Sequence, residues 1–547
     1  MPVEYQDAAN TSPIITQLLY NRGVEPHEIA PFLAADSQLQ ANPFLLPDIT
    51  QAVSRIYKAL LSREKIGIYG DLDVDGVTAT AVLVETLSRL GGNVTTYIPN
   101  RFSEGHGLKL AGIQKLQNED VGLIVTVDCG ISDISEAKQA QQMGLDLIIT
   151  DHHVPLATLP QTLAVVDAKR KDSEYPFSEL AGVGVAFKLA QALLHNDARE
   201  KYLTELLDLV ALGTVADMVP LTDENRYLVK EGLKVLNNTQ RTGLQEMFKF
   251  AGLRPGEIDA EHISFALGPR LNAAGRIDTA STSFRLLTTH SPEEARTLAE
   301  ELEESNAERK RLANDALSKA KDNLSGRLHL PLLMESDESY PVGVIGLVAG
   351  KLVDEFRKPV FVVNVGPELC RGSGRSIPEF DLTNALEKCQ DLLVAFGGHK
   401  LAAGFAIEPE KLTLLQQRLL ELAESQLAHL DLSPELTIDA DVALSAFTGD
   451  TFRLIQQLQP FGQGNPYPTF LSHKVEVIDH RTFGDHGKWL SLKLKQEDTI
   501  WRAVDFESQK GEGGIAPFMD IVFNIGRTRW NGEELLELRL LDFTPSP

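Results

Sequence analysis

The sequence predicts an α/β protein in which two α/β lobes, joined by a long helix, are followed by a small β-barrel. Three observations in the 547-residue chain carry that expectation. From Lys65 to about Ala168, short apolar runs alternate with helical patterns, the mark of βαβ units and a parallel sheet. A second alternation occupies residues 326–430. From about Leu432 onward the apolar period drops to two, which reads as short strands.

Taken in order, residues 1–61 read as a helical lead-in. Residues 62–290 form the first lobe, with strand runs KIGIYGD, NVTTYI, VGLIVTVDCG and DLIITDHH and, after them, helical runs VGVAFKLAQALLH and TELLDLVALGTVADMVP. Residues 291–325 carry i,i+4 pairs of opposite charge and a thin apolar stripe, as expected of a helix connecting two domains. The second lobe, 326–430, repeats the α/β pattern with LPLLMES, GVIGLVAGKLVDEF and PVFVVNV. In 431–547 the runs KVEVI, WLSLKLK, IWRAVDF, DIVFNIG and LLELRLLDF are separated by polar turns. Five short strands at that spacing suggest a closed barrel, with an OB-fold the leading candidate.

With 43% hydrophobic residues, a chain of this length supports several domains. No apolar run approaches membrane-spanning length, and the opening MPVEYQDAANTSP has neither basic leader nor apolar signal core, so a cytoplasmic protein is expected. The cysteines, Cys129, Cys370 and Cys389, are odd in number and far apart, which argues against a disulfide framework and a zinc–thiolate site. The net charge of −25 is unlike the basic footprint of most nucleic-acid binders. The excess acid reads as solvated helix surface, for example EEARTLAEELEESNAERKR, within which a basic groove can still lie.

In a parallel sheet, ligands sit at the carboxyl ends of the strands. Three strands end in polar clusters, GDLDVDG, TVDCG and ITDHH, so chain-distant side chains should meet along one sheet edge. In IYGDLDVDGVTAT, Asp71, Asp73 and Asp75 alternate, a self-repelling pattern that calls for a positive partner. Asp73, Asp75, Asp128, His152, His153 and Asp217 offer carboxylates and imidazole to hard divalent cations such as Mn²⁺ or Mg²⁺. Their number exceeds what one ion needs and suits a pair sharing a carboxylate, poised for in-line attack at phosphorus. Asp217 alone reads equally well as a helix cap, and Asp71 can ligate, orient a ligand or cap. Glycines in GVGVAF and GVIGLVAG lie near helix starts, where backbone N–H groups meet anions, although tight helix packing explains them equally. Arg270 and Arg276 in GPRLNAAGRI, Arg371 and Arg375 in CRGSGRS, and His399 with Lys400 in FGGHKLAAGF are candidates to hold phosphate.

The succession DLDVDG, TVDCGIS, TDHHVP, ADMVPL, GPRLNAAGRI, GVIGLVAGKL, GSGRS and GGHKLAAGF resembles the DHH phosphoesterase superfamily. With LQPFGQGNPYPTF entering a C-terminal barrel, the chain is similar to that superfamily's long branch of single-stranded-DNA exonucleases. The resemblance runs from about Asn42 to near the C-terminus. It implies a DHH catalytic domain, a DHH-associated domain and a DNA-binding OB-fold, and hydrolysis of single-stranded DNA 5′ to 3′ into 5′ mononucleotides, in recombination and repair. It implies two ions, Mn²⁺ or Mg²⁺, held by Asp73, Asp75, Asp128, His152 and Asp217, with Asp128 the bridge and with His153 and Asp71 at the ions or just behind their ligands. Arg276 and Asn272 match residues holding the scissile phosphate, and His399 lies opposite the ions. Arg101 in NRFSEGHGL, with Ser373 and Arg375, matches a pocket for the terminal 5′ phosphate. Single-stranded DNA is the implied partner, with single-strand-binding protein and a RecQ-type helicase as further partners and a monomer as the expected state. Leu72, His106 and Gly374 depart from the family pattern. Trp501 and Trp530 are candidates for base stacking, with barrel packing the competing reading. Two rival functions are a DHH phosphodiesterase of short oligonucleotides or cyclic dinucleotides, and a non-catalytic DNA-binding replication scaffold. The long β region speaks against the first, and the intact ligand set against the second.

Overall fold

The computed structural model describes residues 5, 12–101, 103–277, 279–433, 435–484, 489–506, 514–530 and 533–546, with backbone alone for 529, 530, 533 and 534. The first lobe is built on five parallel strands: β1 (Lys65–Tyr69), β2 (Asn93–Tyr97), β3 (Val121–Val127), β4 (Asp146–Thr150) and β5 (Ala164–Val166). Their order is β2-β1-β3-β4-β5. The sheet's central strands read as continuous apolar runs because both faces are covered. In β3, Leu123, Val125 and Val127 pack under the helices Ile49–Ser62, Val74–Arg89 and Gly182–Leu193, while Ile124 faces Leu110–Asn118 and Ile134–Gln142. Strand order reverses between β1 and β3, and a ligand crevice belongs at that switch point. Asp71, Asp73 and Asp75 follow β1 there, and Asp128 follows β3.

The segment expected as a lead-in divides between two bodies. Ile15, Leu18 and Leu19 of helix Pro13–Asn21 join the barrel core, whereas Ile49, Ala52, Ile56 and Ala59 belong to the first lobe. The connector is one helix of 33 residues, Pro292–Leu324, capped by the Ser291 hydroxyl, which accepts from Glu294 N. At 1.5 Å per residue it spans about 50 Å. Its Leu298, Ala299 and Leu302 pack on the first lobe and its Ala316, Ala320 and Leu324 on the second.

The second lobe is a mixed sheet of β6 (Leu333–Asp337), β7 (Val360–Asn364), β8 (Cys370–Arg375), β9 (Leu393–His399) and β10 (Ala402–Ile407), in the order β6-β7-β8-β10-β9. β6 and β7 are parallel across helix Ile345–Phe356, and the remaining pairs are antiparallel. Connections as short as those between β7 and β8 and between β9 and β10 permit nothing else. Gly374 is required in β8, because the place of a methyl group there lies 2.4 Å from the Phe361 ring.

The C-terminal strands are β11 (Ala440–Asp441), β12 (Phe470–Phe483), β13 (Trp489–Gln496), β14 (Thr499–Asp505), β15 (Phe518–Trp530) and β16 (Glu533–Pro545). β12-β13-β14-β16-β15 closes on itself through β12–β15, with β14 and β16 parallel. That closed five-stranded barrel is the expected OB-fold. Trp501 packs against its core and donates its indole N–H to Leu444 O at 3.3 Å, so barrel packing prevails over stacking. The Trp530 side chain lies outside the described residues. All three cysteines are buried and unpaired. Among the described residues, no helix is long and apolar enough to cross a membrane.

The barrel docks on the first lobe through LQPFGQGNPYPTF. Leu221 N donates to Gln463 O at 2.7 Å. Asn465 is fully buried and donates to Leu458 O and Pro460 O while accepting from Arg22 Nε. Arg226 of helix Asp223–Leu236, also fully buried, donates to Phe32 O, Leu458 O and Gln457 O, with its guanidinium 4.0 Å from the Phe32 ring centre. One side chain thus ties the N-terminal helices, the first lobe and the barrel linker together. Arg226→Ala removes three hydrogen bonds, leaves Phe32 O and Gln457 O without this donor, and is expected to cost about 3 kcal/mol or more. The check is a lower unfolding temperature, and an unchanged one would refute this role.

Candidate active site

Local backbone chemistry fixes the carboxylates before any ligand arrives. Asp73 is the N-cap of Val74–Arg89, its Oδ1 accepting from Asp75 N at 2.9 Å and Gly76 N at 3.2 Å. Asp75 lies in the first turn of that helix and points at the N-terminus of another. Gly182 N donates to its Oδ2 at 2.6 Å and Val183 N to its Oδ1 at 2.8 Å. GVGVAF therefore does meet an anion, as helix N-termini do, and the anion is Asp75. Gly182 is obligatory, since a Cβ there would lie 2.6 Å from Asp128 Cβ. Asp128 itself has φ 61°, a left-handed conformation that Asp tolerates better than most residues.

His152 sits at the centre. Its Nε2 is 3.1 Å from Asp128 Oδ1, 3.6 Å from Asp217 Oδ2 and 3.8 Å from Asp75 Oδ2. Ligand atoms of Asp75, His152 and Asp217 lie within 4.8 Å of one another, as do those of Asp71, Asp73 and Asp128, and those of Asp128, His152 and His153. Asp128 thus belongs to two groups, the arrangement a bridging carboxylate needs. Asp71, open in the sequence, stands with Asp73 and Asp128 and is buried.

The electrostatics call for a cation. Burial and neighbouring aspartates push Asp75 up to about 7 and Asp217 up to about 9, and hold Asp73 and Asp128 above the usual carboxylate range. Burial, with the charge of His153, lowers His152 to about 3 and keeps it neutral. Both ring nitrogens of His152, Asp71 Oδ1 and Asp128 Oδ1 are buried without hydrogen-bond partners, a costly state unless an ion takes them up. Oxygen and imidazole donors without sulfur fit Mn²⁺ or Mg²⁺.

Behind the cluster stands Asp151, a residue passed over in the sequence although it opens the DHH triplet. Its Oδ1 accepts from His152 N, His153 N and His153 Nδ1 (2.7 Å), and its Oδ2 from Ile131 N. Burial opposes charge on His153, but the bond to Asp151 and the surrounding carboxylates lift it to about 9. His399, at the end of β9, places its ring parallel to that of His153, 6.4 Å between centres, so the second lobe does face the cluster. Burial, then the charges of His153 and Lys169, hold His399 below the ordinary histidine value. Lys169, beyond β5, was likewise unmarked in the sequence.

The basic candidates separate. Arg276 donates to Gly343 O of the second lobe at 3.4 Å. Burial, with the charges of Arg101, Arg309 and Arg375, depresses it to about 10. Asn272 Oδ1 accepts from Val74 N at 3.1 Å, holding the turn between Asp73 and Asp75. Arg101 donates to Gly275 O and reaches His106 Nε2 at 2.9 Å, while His106 Nδ1 lies 3.3 Å from Asp71 Oδ2. His106 therefore links Arg101 to the acidic cluster. Arg375 donates to Ser373 Oγ and Gly374 O, close to Gly346 in the first turn of Ile345–Phe356. Arg270 is instead a strut, bound to Glu303 on the connecting helix at 2.5 Å. Arg371 is exposed on β8, and Leu72 is buried in the core and displaces no ligand.

A carboxyl group whose folded-state pKa exceeds its unfolded value near 4 stabilises the fold below that value and loses the contribution as pH rises through the folded pKa. Asp75 and Asp217 are raised to about 7 and about 9. The cation-free chain should thus lose stability between about pH 5 and about pH 9. Saturating Mn²⁺ is expected to raise the unfolding temperature, with a gain that grows across that range. Gly182→Ala should remove most of the gain. A gain that is flat or falls with pH would contradict the assignment.

Residues 65–214 match the DHH family, N-terminal domain; residues 329–425 match the DHHA1 domain; and residues 438–542 match the RecJ OB domain. The chain is 38% identical over 537 residues to the single-stranded-DNA-specific exonuclease RecJ of Bacillus subtilis, covering 97% of this chain and 68% of that one. With RecJ of Salmonella typhimurium it shares 33% identity over 565 residues, 97% of this chain and 92% of the relative. Among solved structures, RecJ of Thermus thermophilus in complex with Mn²⁺ superposes with a TM-score of 0.84 at 30% identity, covering 100% of this chain and 78% of that one. The same protein has been solved with Mg²⁺ (TM-score 0.78). On the fold, the acidic and histidine cluster and these matches, the chain belongs to the RecJ family of single-stranded-DNA-specific exonucleases.

Proposed function

We propose that this chain removes 5′ mononucleotides one at a time from the 5′ end of single-stranded DNA, with divalent cations as cofactors. The observation that carries the reading is the convergence of Asp75, Asp128 and Asp217 on the unpartnered His152, with Asp71 and Asp73 grouped on Asp128, facing arginines that have phosphate-binding chemistry. Residues 62–290 act as the catalytic domain, 291–325 as the connector, 326–430 as the DHH-associated domain and 431–547 as the strand-binding barrel.

Asp73, Asp75, Asp128, His152 and Asp217 would hold two cations, with Asp128 common to two of the ligand groups and Asp71 beside it. When bound, Mn²⁺ or Mg²⁺ polarises the phosphoryl oxygens and makes water a competent nucleophile near neutral pH. Arg276 takes the charge that develops on the scissile phosphate, and neutral His399 completes the enclosure from the second lobe. Asn272 keeps the Asp73–Asp75 turn in place through Val74 N, and Asp151 orients His153. Water oxygen bonds to phosphorus and the P–O3′ bond breaks, so the terminal nucleotide leaves and the shortened strand keeps a 5′ phosphate. That group is what Arg101, Ser373 and Arg375 receive for the next cycle. A RecQ-type helicase and single-strand-binding protein fit as suppliers of the strand, in the cytoplasm.

Release of mononucleotides from a 5′-labelled single strand with Mn²⁺ tests this, and Asp128→Asn is expected to lower the rate by more than about 10²-fold. Blocking the 5′ end should stop digestion, whereas blocking the 3′ end should not. Digestion of a 5′-blocked strand as fast as a free one would refute the end recognition, and faster turnover of dinucleotides than of long strands would favour the rival phosphodiesterase.

A further inference from the structure

The buried stripe of the connecting helix changes character at its midpoint. Leu298, Ala299 and Leu302 precede, and Ala313, Ala316 and Ala320 follow, but Asn306 and Arg309 occupy the intervening positions. Asn306 is fully buried, and its Nδ2 has no hydrogen-bond partner. Arg309 donates from Nη2 to Asn306 Oδ1 at 2.9 Å, while its buried Nε is unpartnered. The other arginines of the neighbourhood show what is missing. Arg270 is neutralised by Glu303, and Arg311 by Glu308 and Asp315. No carboxylate among the described residues forms an ion pair with Arg309.

Its neighbours are cationic. The charge of Arg270 bears on Arg309, and Arg309 in turn bears on Arg276 together with Arg101 and Arg375. Arg101 donates to Gly275 O and reaches Asp71 through His106, which puts the terminal-phosphate group on the ion side of Arg276, whereas Arg270 is bound to Glu303 on the connecting helix that carries Arg309. A buried N–H without an acceptor and a guanidinium without a counter-ion are costly in an empty protein. Both are satisfied by one anionic group whose oxygens accept hydrogen bonds.

We propose that Arg309, oriented by Asn306, binds the phosphodiester next to the one held by Arg276, on the retained side of the strand. The inference rests on the reading that a single strand enters this cleft, and it adds a phosphate subsite supplied by the connecting helix. Arg309 is a binding residue for the strand rather than for the bond that breaks. Its loss should appear in KM for long substrates and leave the chemical step alone.

The full chain with Mn²⁺ and its Arg309→Gln variant are compared on a long 5′-phosphorylated strand and on a 5′-phosphorylated dinucleotide, which carries the terminal and scissile phosphates and no third. Losing a charge-assisted contact should lower kcat/KM on the long strand by about ten- to a hundredfold, through KM, with dinucleotide turnover unchanged. The slope of log affinity against log salt for the long strand should fall by about 0.7. In the wild-type chain, a neutral methylphosphonate one linkage beyond the scissile bond should cost the same factor, and the variant should lose nothing further. The methylphosphonate arm tests the subsite without altering the fold. Equal losses on dinucleotide and long strand, no loss on either, or an additive loss in the variant would each overturn the proposal. A wild-type chain that fails to bind any single strand would refute the strand-cleft reading along with it.

Discussion

Carboxylates of Asp75, Asp128 and Asp217 approach one neutral imidazole, and those of Asp71 and Asp73 join them through Asp128, the ligand atoms in each group within 4.8 Å of one another. Like charges that close repel strongly where burial removes the screening of water. The first lobe nevertheless keeps them there by spending its own dipoles on them. The helix starting at Gly182 turns two N–H groups onto Asp75, Asp73 caps the helix that carries Asp75, and Asp128 accepts a left-handed backbone so that its side chain enters the cluster. The strand order of the sheet serves the same end, since reversal between β1 and β3 opens the crevice into which both strand ends empty. The architecture is explicable as a frame that holds an incomplete charge set ready for a cation.

The second lobe and the barrel complete the cleft by different routes. The second lobe is held at the distance set by the connecting helix, and its Gly343 carbonyl meets Arg276 directly. It thereby brings His399 to face His153 and sets Arg375 where its charge bears on Arg276. The barrel is fixed through the ADMVPL loop, which carries Asp217 at one end and receives Gln463 at Leu221. Arg226 then locks the linker to the N-terminal helices. A member of the acidic cluster and the docking of the barrel therefore share one short stretch of chain, which couples the order of one to the other.

Much of this was legible in the sequence because the relevant signals are local. Apolar runs ending in Asp or His announce strand ends, and a parallel sheet gathers strand ends on one edge, so the cluster followed from topology alone. The connector was legible from its charge periodicity and the barrel from its period of two. What escaped depends on partners distant in sequence. Nothing near GVGVAF says that its anion is Asp75, more than a hundred residues earlier. Arg270 looked like a phosphate ligand among glycines until Glu303, 33 residues on, claimed it. Asp151 was hidden by its own neighbours, because an aspartate before two histidines reads as a third ligand or a turn rather than as the residue that orients one of them. The lead-in was expected as a unit, yet its helices answer to two different cores.

The acid excess of −25 and the arginine-lined cleft are two parts of one selectivity. At physiological ionic strength the Debye length is about 8 Å, so exposed acid on the outer faces is largely invisible to a phosphate already inside the cleft. There Arg101, Arg276, Arg309 and Arg375 act at short range, and burial, with the charges of its arginine neighbours, leaves Arg276 depressed to about 10. Those charges are costly while the cleft is empty, and each phosphate that enters removes part of the cost. A phosphate backbone therefore gains most where it reaches those arginines, which a flexible single strand can do by presenting its phosphates one at a time.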